Sequence, residues 1–310
     1  MQNEVQNESQ YDDEIDLREL FGVLWAGKIK IVAITAVFAV ASVIYALSVP
    51  NQYKATALLA PAQSDGGGLS GALGQLGGLA SLAGVSLGGG ESGEAQIAQE
   101  IMKSWSYIEG FIADNNIAVE VYAAEGWSKG SNTLQINNDA YDVETNEWLV
   151  EDESGAIAAP SSWQLFESFS QILSVSEDKK SGLFSVSIEY YSPQIAKQWV
   201  DMYVESINRF MQQRQIDKVT RNIAYLQEQI EKTAIAEMQE VFYTIIEEQT
   251  KNKMLAEASP DYVFVAVGPS MVPELKSQPK RALICILGTL LGGMLSVLMV
   301  LIMHYAKKSD

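Results

Sequence analysis

The chain reads IVAITAVFAVASVIYALSV at residues 31–49 and ALICILGTLLGGMLSVLMVLIMHYA at residues 282–306, and neither segment contains Asp, Glu, Lys or Arg. A hydrocarbon core of about 30 Å requires about 20 helical residues, because each residue adds about 1.5 Å. Both segments reach that length. We therefore predict two transmembrane helices that enclose a large domain.

Two other interpretations of these segments fit less well. A cleavable signal sequence has a short basic leader and an apolar core of about 7–15 residues. Here residues 1–30 contain seven acidic residues, and the apolar core is longer. A buried core helix is disfavoured at the second segment, where residues 283–303 carry no charge and Lys307 and Lys308 follow closely.

Basic residues close to the spans predict the orientation, since they are enriched on the cytoplasmic side. Five lie on the terminal sides (Arg18, Lys28, Lys30, Lys307, Lys308) and four on the middle side (Lys54, Lys276, Lys280, Arg281). The first span, with three against one, favours the same direction. The expected layout is a cytoplasmic tail at 1–30, a span at 31–49, an exported domain at 50–280, a span at 281–306 and a cytoplasmic tail at 307–310.

Composition limits what the middle domain can be. The formal net charge is −18, and residues 31–280 contain 31 acidic and 15 basic residues. Such a surface repels nucleic acid and anionic lipid, so we expect no nucleic-acid partner. The single cysteine, Cys285, lies in the second span. The domain therefore has no disulfide, but about 230 residues are enough to bury a core without one.

The middle domain mixes strand and helix patterns, which predicts an α+β fold. Strands are expected at 52–60, at 173–175 paired with 183–190, and at 262–267, since β-branched and aromatic residues alternate there. Helical spacing predicts helices at 94–115 and 161–172. Three short stretches read as strands or loops: 118–122, 133–136 and 147–151.

A long segment without glycine or proline runs from residue 194 to 259, after a helix start at Ser192-Pro193. It predicts either one very long extended helix of roughly 100 Å or a long helix folded back on a second one. A heptad seam runs along it at Ile216, Val219, Ile223, Leu226 and Ile230. Such a seam packs against another helix, so we expect this element to project and to support self-association.

A glycine-rich run covers residues 66–93, where twelve residues are glycine and most others are Leu, Ala or Ser. This composition fits either contact with the bilayer or a membrane partner, or a disordered connection.

Signals for catalysis are weak. His304 is the only histidine and has no cysteine or histidine near it in the sequence, which argues against zinc and Cys/His chemistry. Residues 84–88 read G-x-S-x-G, the pattern of a hydrolase elbow, but within glycine-rich sequence and without a histidine in the domain to act as base. We expect no enzyme activity, no cofactor and no metal.

Both ends of the chain carry motifs of a known family. At the start, residues 14–20 (EIDLREL) precede Leu24-Trp25, the first span, Pro50, Tyr53 and residues 55–59. Before the second span come Pro269, Pro273 and Pro279, and Pro279-Lys280 is followed after eleven residues by Gly292-Gly293-Met294. These motifs resemble the bacterial Wzz-type polysaccharide chain-length determinants, also called polysaccharide co-polymerases. One departure is Gln278, where the family commonly has proline or serine.

The resemblance implies a bacterial inner-membrane protein with cytoplasmic termini and a periplasmic α/β domain that carries a long helix. It implies homo-oligomeric rings, expected as octamers, which set the modal length of lipopolysaccharide O-antigen or a related glycan. The implied partners are the inner-membrane polymerase, the growing lipid-linked glycan and the lipid bilayer. The short segment after Ala306 resembles the class without a kinase domain.

The second span contains a stripe of small residues, Gly288, Gly292 and Ser296, at steps of four. Small residues at this spacing let helices approach closely in lipid. The expected partner is the first span, through Thr35 and Ala39, or the polymerase. Alternatively, the glycines reflect only their frequency in membrane helices.

Arg214, Lys218 and Arg221 fall on one helix face. They are candidates to line a ring and contact glycan, or else they form a solvated face paired with Glu205 and Asp217.

Two other protein classes share this layout. A chemoreceptor or sensor kinase also places an exported domain between two spans, but it needs a long cytoplasmic signalling region. A periplasmic adaptor of a polysaccharide or efflux export system is the alternative function, and neighbouring genes for glycosyltransferases, polymerase and flippase would distinguish a length regulator from it.

Overall fold

A computed structural model describes residues 17–62, 91–151 and 155–309. It divides into two compact units, one made of the described residues up to Pro50 and from Gln278 onward, the other of Asn51–Ser277. Residues 66–90 of the glycine-rich run and the elbow-like motif lie outside the described residues, as does the beginning of the N-terminal motif.

The first unit is helical. Its helices are α1 (Leu17–Ala26), α2 (Lys28–Ser48) and a C-terminal helix, Arg281–Ser309. Within the described residues, two helices qualify as candidate membrane spans by length and composition: Lys28–Ser48 and Arg281–His304.

The second unit mixes helices and strands, so the α+β fold class is confirmed. Its helices are α3 (Glu91–Lys103), α4 (Trp105–Asn115), α5 (Ala118–Ala123), α6 (Ser162–Ile172), α7 (Pro193–Lys232) and α8 (Ala236–Ala258), which makes the C-terminal helix α9. Its strands are β1 (Tyr53–Pro61), β2 (Ala124–Ser128), β3 (Thr133–Ile136), β4 (Tyr141–Asp142), β5 (Glu147–Trp148), β6 (Leu173–Asp178), β7 (Leu183–Tyr190) and β8 (Phe264–Gly268).

The main sheet is antiparallel, with strand order β6-β7-β1-β8. The predicted hairpin at β6 and β7 is present, and its turn ends at Gly182, whose φ of 68° suits glycine. The predicted alternation along β7 is confirmed, since Phe184, Val186, Ile188 and Tyr190 are all buried. This face of the sheet supports the core beneath α7.

Two local predictions were wrong. The helix expected over residues 94–115 is divided between α3 and α4 at Ser104, whose backbone is extended and whose hydroxyl bonds the Ile101 carbonyl. Residues 118–122, read as a strand or loop, belong to α5. Here Ala123 is buried and Val121 packs on the core, so tertiary burial overrides the β propensity of the sequence.

The two helix starts predicted at serine residues follow the capping rules. Ser161 begins α6 with a full capping box, in which its hydroxyl accepts from the Gln164 N–H and the Gln164 side chain accepts from the Ser161 N–H. Ser192 caps α7, with proline at the first helical position.

The long breaker-free segment is not one helix. Helix α7 ends at Lys232, residues 233–235 are non-helical, and α8 returns antiparallel beside it. The Gln239 amide donates to the carbonyls of Ile230 and Thr233, at 3.3 and 2.8 Å, and thereby satisfies carbonyl groups at the end of α7. Of the two alternatives predicted for this segment, the single extended helix over 194–259 is wrong, and a long helix folded back on a second one is present.

The hairpin extends beyond the core. The buried apolar side chains of α7 from Ala196 to Met211 belong to the core cluster, and beyond Met211 only Val219 is buried on α7. The remaining 21 residues of α7 reach roughly 30 Å further at 1.5 Å per residue.

Asn208 joins α7 to the last strand. Its side chain is 2 % exposed, its amide donates to the Phe264 carbonyl at 2.8 Å, and its oxygen accepts from the N–H groups of Val263 and Phe264 at 3.0 and 2.8 Å. One side chain therefore satisfies three backbone groups where the chain returns to the sheet.

Candidate functional site

The helices α2 and α9 approach so closely that glycine is required at two positions. A Cβ atom on Gly288 would lie 2.5 Å from the Ser42 Cβ, and one on Gly292 would lie 2.4 Å from the Phe38 Cβ. Both values are well below a normal carbon–carbon contact. The structure thus places this stripe against the first apolar helix, one of the two partners considered from the sequence.

The contact between α2 and α9 continues with hydroxyl groups. Ser296 is fully buried, its hydroxyl donates to the Gly293 carbonyl at 2.7 Å, and its oxygen lies 3.3 Å from the Thr35 hydroxyl. Gly293 is less crowded, because the atom nearest to a Cβ added there would be the Thr35 Oγ1, at 4.0 Å. Met294 points away from the seam and is 65 % exposed.

The proline motif leads into α9. Pro279 is buried, and its carbonyl accepts from the Arg281 N–H at 2.9 Å. Lys280 is exposed, and its carbonyl accepts from the N–H groups of Leu283 and Ile284. The Arg281 guanidinium donates to the Ala46 carbonyl at 3.0 Å. Ala46 is in the last turn of α2, so this bond satisfies one of the carbonyls that a helix end leaves open. Pro273 is half-buried in the other unit.

The basic residues Arg214, Lys218 and Arg221 are exposed on α7. Within the described residues none of them makes an ion pair. The carboxylates considered as their partners are engaged elsewhere: Glu205 pairs with Arg209, and Asp217 accepts from the Gln213 amide at 2.8 Å.

The core of the second unit contains buried tyrosines that anchor its layers. The Tyr203 hydroxyl donates to the Met102 carbonyl of α3, and the Tyr190 hydroxyl donates to the Glu120 carbonyl of α5 at 2.6 Å. Burial raises the pKa of both phenols, and for Tyr190 the Glu120 carboxylate adds to the increase. Both therefore stay protonated near neutral pH and act as structural donors.

Among the described residues, no group of three or more His, Cys, Asp or Glu side chains is placed to hold a metal ion.

Sequence reasoning missed Asn208 and the acidic side of α8. An isolated asparagine inside a helical pattern looks like a surface residue, and only the strand that returns beside it reveals its role. The acidic residues of α8 become a distinct face only when the position of α7 is known.

Together, the apolar helix pair and the sheet domain with its helical hairpin define a class: an α+β protein with a candidate membrane helix at each end. Residues 13–114 match the family model Wzz, described as Chain length determinant protein. This match covers about a third of the chain and confirms the resemblance to this family that the terminal motifs predict.

Two solved structures are similar to the chain in layout. One, described as a full-length bacterial polysaccharide co-polymerase, is 15% identical with a TM-score of 0.39, and the match covers 96% of this chain and 99% of that one. The other is a fragment of WzzB, a polysaccharide co-polymerase from Salmonella Typhimurium, 14% identical with a TM-score of 0.30, covering 74% and 100%. Both TM-scores are below 0.5, so the resemblance to the family rests on the sequence match alone. No curated protein matched the chain.

Proposed function

We propose that this protein sets the modal chain length of lipopolysaccharide O-antigen or a related surface polysaccharide, as a regulator rather than an enzyme. It acts as a homo-oligomeric scaffold with the inner-membrane polymerase and the growing lipid-linked glycan. The observation that carries this proposal is the match of residues 13–114 to the chain-length-determinant family.

The geometry supports a scaffold in two ways. Each of its two units has a packed interior, and the helix pair has a seam too close for side chains larger than glycine at two positions. The hairpin extends roughly 30 Å beyond the core of its own unit, at 1.5 Å per residue, and offers a long exposed surface to partners.

A lipopolysaccharide ladder on a silver-stained gel tests the function. We expect deletion of the gene to spread a clustered ladder into a smooth decay, because extension no longer stops near a preferred length. The native chain should restore the cluster. An unchanged ladder for O-antigen, enterobacterial common antigen and capsule would contradict the proposal and favour the export adaptor.

We further propose a two-pass orientation in the inner membrane with cytoplasmic termini and a periplasmic domain. In a Cys285→Ser background, Lys129→Cys should react with a membrane-impermeant maleimide in cells whose outer membrane alone is permeable, since Lys129 is an exposed residue of the middle domain. A cysteine added after Asp310 should react only after the inner membrane is disrupted. The reverse pattern would contradict the orientation.

A further inference from the structure

The heptad seam predicted to serve self-association is occupied within the chain. Val219 is 1% exposed, and the seam residues around it face α8. On α8 the half-buried or buried positions that face α7 are Phe242, Ile246, Gln249, Lys253 and Ala256. Contact between copies through the hairpin must therefore use the outer sides of the two helices.

The outer side of α7 carries a stripe of basic residues. Arg221 is two positions after Val219, which places it about 200° around the helix from the seam at 100° per residue. Arg214 and Lys218 follow the same stripe at steps of four and three. Tyr225 continues the stripe and is 61% exposed.

The outer side of α8 is predominantly acidic. Glu247 and Glu248 lie between the seam positions Ile246 and Gln249, so they flank the line directly opposite the seam. Glu240 lies on the same side two turns earlier. All three are exposed, and none makes an ion pair among the described residues.

The register of the hairpin places opposite charges at equal heights. The Gln212 amide donates to the Ala256 carbonyl, and the Gln239 amide donates to the Ile230 carbonyl. In an antiparallel hairpin, two residues that lie level with each other on the two helices have numbers with a constant sum. Here that sum is about 468, from residues 212 and 256 or from residues 230 and 239.

By this register Arg221 is level with Glu247 and Glu248. The single basic residue on the outer side of α8, Lys251, is level with Asp217, an exposed acidic residue on the outer side of α7. Opposite charges therefore lie level at these two heights. One exception is Glu228, which pairs with Lys232 in its own chain and is level with Glu240.

We propose that the outer side of α7 in one copy packs against the outer side of α8 in the next, with Arg221 beside Glu247 and Glu248 and with Asp217 beside Lys251. This contact rests on the proposed scaffold function and names its interface. Because the two surfaces differ, the contact is head-to-tail, and repetition by rotation about an axis along the hairpin closes a ring. Residues that lie at equal heights on neighbouring copies come together only if the rotation axis runs along the hairpin.

Apolar side chains complete the surface. An open depression on α8 is lined by Glu247, Thr250, Lys251, Met254 and Leu255. Met254 and Leu255 are 64% and 51% exposed. In the proposed contact Met254 is level with Arg214 of the next copy, and Tyr225 is level with Tyr243, which is 60% exposed. Exposed ion pairs are individually weak and mainly define register and partner choice, so burial of these apolar side chains provides the affinity.

Disulfide crosslinking in the full chain tests the contact. In a Cys285→Ser background within membranes, Arg221→Cys combined with Glu248→Cys should give a ladder of linked multimers after oxidation. The two sites face opposite sides of one hairpin, too far apart for a disulfide within one chain. Each single variant should remain monomeric on a non-reducing gel, because a head-to-tail contact does not bring identical residues together.

The matched control is Thr220→Cys with Glu248→Cys. Thr220 is exposed and adjacent to Arg221 but lies about 100° around the helix, so we expect at least a five-fold lower yield of multimers. Dimers from Arg221→Cys alone, or no multimers from the Arg221→Cys and Glu248→Cys pair, would overturn the proposal.

Charge reversal provides a second readout without cysteines. Arg221→Glu should lower the multimer fraction several-fold on native gels of detergent extracts. Adding Glu247→Arg and Glu248→Arg should restore the multimer fraction, because residue 221 is then negative and residues 247 and 248 are positive, so the two sides attract again. Absence of rescue in a well-expressed triple variant would overturn the interface. If crosslinks form while gene deletion leaves all three polysaccharide ladders unchanged, the interface stands and the proposed function fails.

Discussion

Replacing Gly292 by leucine is expected to separate α2 from α9. Even the Cβ atom of an alanine there would lie 2.4 Å from the Phe38 Cβ and 2.8 Å from its Cγ, whereas ordinary contacts begin near 3.4 Å. The Phe38 Cβ cannot rotate away, so the helices must move apart by about 1 Å for alanine and further for leucine. Overpacking of this kind typically costs about 1–3 kcal/mol, and separation also breaks the Thr35–Ser296 contact.

An intrachain disulfide measures this separation. Thr35→Cys and Ser296→Cys replace hydroxyl groups whose oxygens are 3.3 Å apart, and a mass-tagged maleimide applied after oxidation in membranes reports the thiols that remain. In a Cys285→Ser background we expect Gly292→Leu to lower the disulfide yield at least five-fold and Gly292→Ala to lower it less.

Gly293→Ala is the matched control, since it adds the same methyl group one residue away. Its nearest neighbour would be the Thr35 Oγ1 at 4.0 Å, and the yield should stay unchanged. Residue 35 is a cysteine in this assay. Its side chain is smaller than that of threonine, so the methyl group added by Gly293→Ala still has room. Equal yields for Gly292→Ala, Gly292→Leu and Gly293→Ala would contradict the close approach.

Replacing Asn208 by leucine is expected to lower the free energy of unfolding by about 3–5 kcal/mol. The substitution leaves two buried N–H groups and one buried carbonyl without their partner, at about 1–3 kcal/mol for each group left unsatisfied. Relaxation of the chain near Val263 and Phe264 should recover part of that cost. A loss of this size is a large fraction of the 5–15 kcal/mol that is typical of natural domains.

Urea unfolding of the full chain in detergent, followed by tryptophan fluorescence, measures this change. Trp199 is buried in the core near Tyr190 and Phe169, so its emission should report loss of the core. Asn222→Leu makes the same substitution on the same helix at an exposed position and should change the unfolding free energy by less than about 1 kcal/mol. A similar, small change for both variants would show that the Asn208 bonds contribute little.

Much of the local structure follows from local sequence. The two uncharged segments, the alternation along β7 and the serine caps at Ser161 and Ser192 each depend on residues a few positions apart, and each is present as predicted. The glycine stripe of the second apolar helix could be recognised from its spacing for the same reason. What spacing could not decide was the partner, because α2 is about 250 residues away in the chain.

The helical hairpin shows where local reasoning stops. Nothing between residues 194 and 259 breaks a helix by its chemistry, since there is neither glycine nor proline. The fold-back at 233–235 is stabilised locally by the Gln239 amide on the end of α7. It is also stabilised by a group distant in the sequence, the Gln212 amide, which donates to the Ala256 and Ser259 carbonyls. A seam that could serve a neighbouring copy is thereby buried within the chain.

The sequence by itself determined the two long apolar helices, the mixed fold class and the family resemblance, because hydrophobic length, strand alternation and short motifs are local properties of the chain. Only the tertiary structure decided that Asn208 holds the last strand, that Gly288 and Gly292 meet Ser42 and Phe38, and that a basic stripe on α7 and acidic residues on α8 lie on opposite outer sides of the hairpin. Those features depend on which distant segments lie side by side. Packing selects those neighbours through the free energy of the whole fold, which no single stretch of sequence contains.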